Sequence, residues 1–348
     1  MVRSRRSSVG VVDLARDLGI STATVSRALN GSPLVRPELA ERIRQHAEAS
    51  GYVANRLARA LSANTSRAFV GFVIPYVDTP AYSAVAAECA RLLSRDGTQL
   101  ILSITENDPE RELSQLRELV ASRIAGLVIS PSTGVLPQTR ELLRDLPVVE
   151  LHRTSGIDAP AVLADDEQAM VESVLHLAGL GHTRIAYLGT PEALSNGAAR
   201  LAGIRRGLKL AGLDPAGVPM RLVEPTRELG RLAATELLAE DITALLVGGG
   251  SLSVGAAAAA RTSGRRIPDE LSLIVYGDPA WFALADPPLT TVVVEYAELA
   301  RQAARLLLAA IDATASGSSG PAPGTHLVTP RLRLAGSTAA PSEEEPTC

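Results

Sequence analysis

Leu14-Ala15-Arg16-Asp17-Leu18-Gly19-Ile20-Ser21-Thr22-Ala23-Thr24-Val25-Ser26-Arg27-Ala28-Leu29-Asn30 is the stretch that decides the fold of the amino-terminal part of this chain. Two short helical patterns meet at Gly19, where a residue without a Cβ permits a sharp turn. Ser21 stands at the N-cap of the second pattern, where its hydroxyl accepts a hydrogen bond from a free backbone N–H. The spacing predicts a helix-turn-helix. Pro33 and Pro37 bracket a loop, Pro37 suits the first turn of a third helix running to about Ser50, and Gly51 stops it. Residues 52–61 read as a further short helical pattern and 62–67 as a polar linker.

Charge divides the chain at the same place. The first 67 residues hold 11 arginines against 5 acids, a net +6, while the remainder of the 348 residues is net −10 and the whole is −4. A basic head on an acidic body points to a polyanion at one end only. The 46% hydrophobic content supports a large core. Two cysteines, Cys89 and Cys348, make no disulfide framework, and no stretch reaches a membrane span of about 20 apolar residues, so a cytoplasmic protein without membrane contact is expected.

From Ala68 the pattern changes to apolar strand-like runs at 69–75, 99–104, 126–130, 148–151, 184–189, 244–247 and 271–276, alternating with amphipathic helices. That alternation predicts parallel sheets covered by helices, and its length of roughly 270 residues exceeds one comfortable core, so two α/β lobes with a cleft between them follow. Ligands on such sheets bind at the carboxyl ends of the strands. Residues 316–324 read as a flexible loop.

Enzyme signatures are missing. There is no Gly-x-Ser-x-Gly elbow, the five histidines stand at no metal-ligand spacing, and the adjacent acids Asp165 and Asp166 read as solvated. No metal, cofactor or catalytic residue is expected. Gly248-Gly249-Gly250 opens a helix but matches neither a dinucleotide fingerprint nor a Walker loop; such glycines more often let chains approach closely.

The chain resembles the lactose-repressor (LacI/GalR) family of bacterial transcription regulators from about residue 9 to 336. The head carries Asp13-Leu14-Ala15 with Gly19-Ile20-Ser21, then Thr24-Val25-Ser26-Arg27-Ala28-Leu29-Asn30, Gly51-Tyr52, Asn55-Arg56 and Ala60-Leu61. The body adds Gly181-His182-Thr183-Arg184-Ile185-Ala186, Arg200 with Gly203, and Asp286-Pro287-Pro288-Leu289-Thr290-Thr291-Val292. The resemblance implies an α/β chain with a helix-turn-helix head (1–54), a hinge helix and linker (55–67), a two-lobed body like a periplasmic binding protein (68–335) and a disordered tail (336–348). It also implies a homodimer on a roughly palindromic DNA operator, acting as a repressor controlled by a small polar effector.

Residue by residue, the resemblance places base reading on Thr22 and Ala23. A recognition helix meets bases with its amino-terminal residues, so Arg27 joins them, reaching a guanine edge or a phosphate. Ser21, Thr24, Ser26 and Asn30 are expected on phosphates or as caps. Leu61 is the residue that the family's hinge helix wedges into the minor groove, with Asn55, Arg56 and Arg59 as polar contacts beside it. Arg200 corresponds to the family's recurrent effector contact, where a guanidinium can clamp two oxygens of an anionic or carbonyl-rich ligand. Pro75, Thr79, Tyr82, His152, Arg153, Pro225, Gly249, Asp278 and Tyr296 map near the same cleft. Two departures stand out: Gly249-Gly250 replace the usual Asn-Asp, and Gly277-Asp278 replace paired acids. Two ordinary polyol contacts are thereby lost, which leaves a regulator with a vestigial or non-sugar cleft as the alternative. A transport solute-binding protein would share the body but not the DNA-reading head.

Overall fold

The computed structural model describes residues 9–29, 32–52, 68–77, 79–95, 97–277 and 280–342. The chain divides into two compact units, Met1–Thr65 and Ser66–Cys348.

Among the described residues the first unit holds three helices, α1 (Val11–Leu18), α2 (Thr22–Leu29) and α3 (Pro37–Ala49). Asp13 fixes the start of α1 by accepting from the Gly10 N–H at 2.9 Å. Gly19 ends the helix with φ +66, the left-handed conformation that the turn demands. The Ser21 hydroxyl accepts from the Thr24 N–H at 3.1 Å and caps α2. Leu14, Val25 and Ile43, one from each helix, are fully buried together with Ala15, Ala28, Ala40 and Ala47. Burying each large aliphatic side chain contributes about 1.5–3 kcal/mol, enough to set the angle between helices this short.

The second unit has two six-stranded sheets. Its elements run in chain order as β1 (Phe69–Ile74), α4 (Pro80–Arg95), β2 (Gln99–Ile104), α5 (Pro109–Ala121), β3 (Leu127–Ile129), α6 (Pro137–Leu143), β4 (Val148–Leu151), β5 (Pro160–Ala164), α7 (Asp166–Gly179), β6 (Ile185–Gly189) and α8 (Ser195–Leu210). There follow β7 (Met220–Leu222), α9 (Arg227–Leu238), β8 (Ala244–Gly248), α10 (Gly250–Thr262), β9 (Ser272–Tyr276), β10 (Thr290–Val293), α11 (Tyr296–Ser316), β11 (Gly324–Val328) and β12 (Arg331–Arg333). Sheet order is β11-β5-β4-β3-β1-β2 in lobe one and β12-β10-β9-β8-β6-β7 in lobe two, so the chain passes between lobes three times. Every pairing is parallel except β10 with β12. Central strands such as β8 and β9 are buried throughout, which is why they read as unbroken apolar runs.

The seven expected strands are present, with ends moved by a residue or two; β5, β7, β10, β11 and β12 were not anticipated. Residues 337 and 339, expected to belong to a disordered tail from 336, are held against the body. Ser337 is fully buried, accepts from the Thr290 N–H at 2.7 Å and donates to the Leu273 carbonyl at 2.6 Å. Ala339 donates to the Ser272 hydroxyl at 3.0 Å, and its carbonyl lies 2.8 Å from His182 Nε2. Composition misses this because the segment is held by backbone and hydroxyl hydrogen bonds rather than by apolar side chains.

Candidate functional site

On the head, the two faces of α2 part cleanly. Val25 and Ala28 enter the three-helix core, while Ser21, Thr22, Ala23, Ser26 and Arg27 are exposed and Thr24 is half-buried. Ser21 and Thr24 hydroxyls lie 2.8 Å apart and complete the cap. The outward side therefore offers a hydroxyl and a methyl in the first turn of α2 and a guanidinium in its last turn. Asn30, Asn55, Arg56, Arg59, Leu61 and Asp278 lie outside the described residues.

In the body, the carboxyl ends of strands from both sheets meet around a cavity of about 50 Å³. Thr79 follows β1; His152 and Arg153 follow β4; Thr190 and Asn196 follow β6; Gly249, Gly250 and Ser251 follow β8; and Tyr276 ends β9. Tyr82, Arg200, Pro225 and Tyr296 complete the walls. Of the expected cleft residues in the described part, Pro75 alone is not among those lining the cavity. The lobes are closed on each other. Thr79 and Ser251 hydroxyls lie 3.0 Å apart, the Thr154 N–H donates to the Ser195 hydroxyl at 2.9 Å, and Asn107 donates to the Glu224 carboxylate at 3.4 Å. Ligand pockets span roughly 300–1,000 Å³, so anything larger than a few heavy atoms enters only when these bonds part.

Arg200 departs from expectation. It is buried on α8, its Nε lies 3.1 Å from the Asp166 carboxylate, its Nη1 donates to the Gly248 carbonyl at 3.0 Å, and it sits 4.2 Å over the Tyr276 ring. Tyr276 donates its hydroxyl to the same carboxylate at 2.5 Å. Asp166 is therefore no solvated acid, and the Arg200 charge is already matched instead of standing free to clamp an anion. Burial works against the guanidinium charge, but the Asp166 carboxylate, with Tyr276 and Tyr187, outweighs it and holds the pKa above the ordinary arginine value. Asp165 caps α7 by accepting from the Gln168 N–H.

His152 has the left-handed φ of +60, a strained conformation for a non-glycine residue. Its ring meets Tyr82 edge-on at 5.3 Å. Burial, then the charges of Arg200 and Arg153, pushes its pKa down to about 3, so the imidazole is neutral at any physiological pH. His152 Nε2, Arg153 Nε, Thr190 Oγ1 and Asn196 Oδ1 are buried without a hydrogen-bond partner from the protein. Arg200 Nε, beside the Asp166 carboxylate, likewise makes no aligned hydrogen bond. Natural proteins leave few such atoms, and five on the walls of one cavity mark a place built for a polar ligand.

The glycines that break the family pattern have local causes. Gly277 has φ +90, and a Cβ there would come 3.1 Å from the Tyr296 hydroxyl. A Cβ on Gly249 would come 3.2 Å from Leu252 Cδ1, tighter than an ordinary contact.

A helix-turn-helix with an outward polar face, carried on a chain with a two-lobed body that closes on a polar cavity, defines a DNA-binding regulator with an effector-binding body. The chain belongs to the LacI family of bacterial regulatory proteins, whose model matches residues 11–55; a periplasmic binding protein-like domain model matches 174–338. It is 32% identical over 347 residues to the HTH-type transcriptional regulator MalR of Streptomyces coelicolor, covering 96% of this chain and 98% of that one. It is 30% identical to the HTH-type transcriptional regulator GalR of Escherichia coli, covering 87% and 89%. The fold matches the lac repressor dimer bound to operator and an anti-inducer, with a TM-score of 0.83 and 24% identity over 96% of this chain and 100% of that one. No described helix is long and apolar enough to cross a membrane.

Proposed function

We propose that this chain is a homodimeric repressor whose hold on a roughly palindromic operator is set by a small polar effector taken up between the lobes. The observation that carries this reading is the set of unpartnered polar atoms on both walls of the cavity: His152 and Arg153 from lobe one, Thr190 and Asn196 from lobe two. Each such atom costs about 1–3 kcal/mol when unsatisfied. A ligand spanning both walls recovers that energy only in one arrangement of the lobes, which is the differential affinity an effector needs to shift an equilibrium. Arg200, with its charge matched by Asp166, offers its remaining N–H donors to an uncharged acceptor.

On the DNA side, Thr22 and Ala23 read base edges, Arg27 reaches a guanine or a phosphate, and Ser21, Thr24, Ser26 and Asn30 hold the backbone. Asn55, Arg56 and Arg59 add polar contacts, and Leu61 wedges a central base step. Two symmetry-related heads read two half-sites, as in the dimeric lac repressor complex. Such a target places the protein in the cytoplasm, and no catalytic step enters.

One observation favours a second reading, a regulator whose cleft no longer takes a ligand: the cavity measures only about 50 Å³. Titration calorimetry of the full chain against neutral sugars, nucleosides and phosphorylated metabolites, with operator affinity measured alongside, separates the two. A compound that binds and changes operator affinity supports effector control. Silence across the panel with intact operator binding supports the second reading.

A further inference from the structure

The cleft holds two buried arginines in opposite electrostatic situations. Arg200 has the Asp166 carboxylate at 3.1 Å. Arg153, on the facing wall and only 3% exposed, makes no ion pair among the described residues. Its Nη1 donates to the Asn107 side-chain oxygen at 3.0 Å, and its Nε has no partner. No acid pairs with it directly. Asn107 stands between Arg153 and the Glu224 carboxylate, and buried Glu112 accepts from the Ser132 N–H at 2.7 Å, with burial raising its pKa and the Arg153 charge acting from a distance to lower it. A buried guanidinium with no carboxylate in direct contact is costly for a fold to keep.

With Nη1 occupied, the edge left open is the one formed by Nε and Nη2, whose two parallel N–H groups fit a carboxylate or phosphate bidentately. We propose that Arg153, and not Arg200, is the anion receptor of the cleft, so that the effector carries a carboxylate or phosphate group on the Arg153 wall and uncharged acceptors toward Arg200. Neutral His152 beside it keeps its Nε2 for a hydrogen bond. This inference rests on the reading of the cleft as the effector site and narrows the chemical class that enters it.

The test uses acetate and inorganic phosphate as probes on the full chain, read by calorimetry and thermal unfolding, beside Arg153→Met. The wild type is expected to bind one of the anions and be stabilised by it, with the preferred probe telling carboxylate from phosphate. Arg153→Met is expected to weaken that binding by at least about tenfold. Because the substitution removes a buried charge that has no direct ion-pair partner while keeping volume, its melting temperature without anion should match or exceed that of the wild type. Failure of both anions to bind the wild type, or equal binding by Arg153→Met, overturns the assignment. Operator binding is measured in the same samples, and its loss throughout would contradict the regulator reading without touching the anion comparison.

Discussion

Asp166 is the residue on which the floor of the cleft depends. It receives both the Arg200 guanidinium and the Tyr276 hydroxyl. Asp166→Ala leaves Arg200 buried with no counter-ion, and breaking a buried pair this way costs about 3–5 kcal/mol. Urea unfolding should show a loss of that size, whereas Asp166→Asn combined with Arg200→Met should recover most of it. A single-variant loss below about 1 kcal/mol would mean that the pair is solvated in solution. His152 makes a prediction in pH. Its folded pKa of about 3 lies below the ordinary 6.5, so the unfolded chain binds the extra proton between those values. Its contribution to stability is complete above pH 6.5 and is lost as pH falls toward 3. Melting temperature should therefore fall more steeply with acid in the wild type than in His152→Gln over that window. Parallel curves would contradict the buried, neutral imidazole.

Among the elements, α2 makes the sharpest prediction because its faces divide so cleanly. Exchanging Thr22 and Ala23 together should change the preferred half-site bases while leaving affinity for random duplex nearly intact, since backbone contacts set the sequence-independent part. If selections on randomised half-sites returned one consensus for both proteins, the reading positions would lie elsewhere. The head was legible in the sequence almost to the residue, because Gly19, Ser21 and Pro37 are local punctuation whose chemistry acts on its own neighbours. Most interior strands were legible for a similar reason, as continuous apolar runs, but β5 opens on Pro160 and β10 carries Thr290 and Thr291, so neither short buried strand gave such a run. The short edge strands were not: β7 and β12 have three residues each, and partly exposed β11 carries Thr325 and His326 at the sheet margin. Cleft membership came through strand ends and family resemblance, whereas the Arg200–Asp166 pairing joins residues from α8 and α7 that no local pattern connects. That Arg153 makes no ion pair among the described residues was invisible for the same reason, since the lack of a nearby carboxylate is a property of packing.

For the molecule as a whole, the proposed reading assigns phosphate contacts to the basic head, net +6 over residues 1–67, and not to the acidic remainder, net −10. Affinity should fall steeply with salt, with about 0.9 counterions released per phosphate neutralised, and the slope should report both heads of a dimer together. A slope near zero between low and physiological salt would contradict phosphate contact altogether. The most direct test is selection of bound sequences from a fully randomised duplex pool by the full chain at physiological salt. A two-headed, symmetric regulator should enrich a consensus with two inverted half-sites about a central step, occupied by one dimer. A pool that stays random, or a consensus with a single half-site bound by one chain, would contradict it.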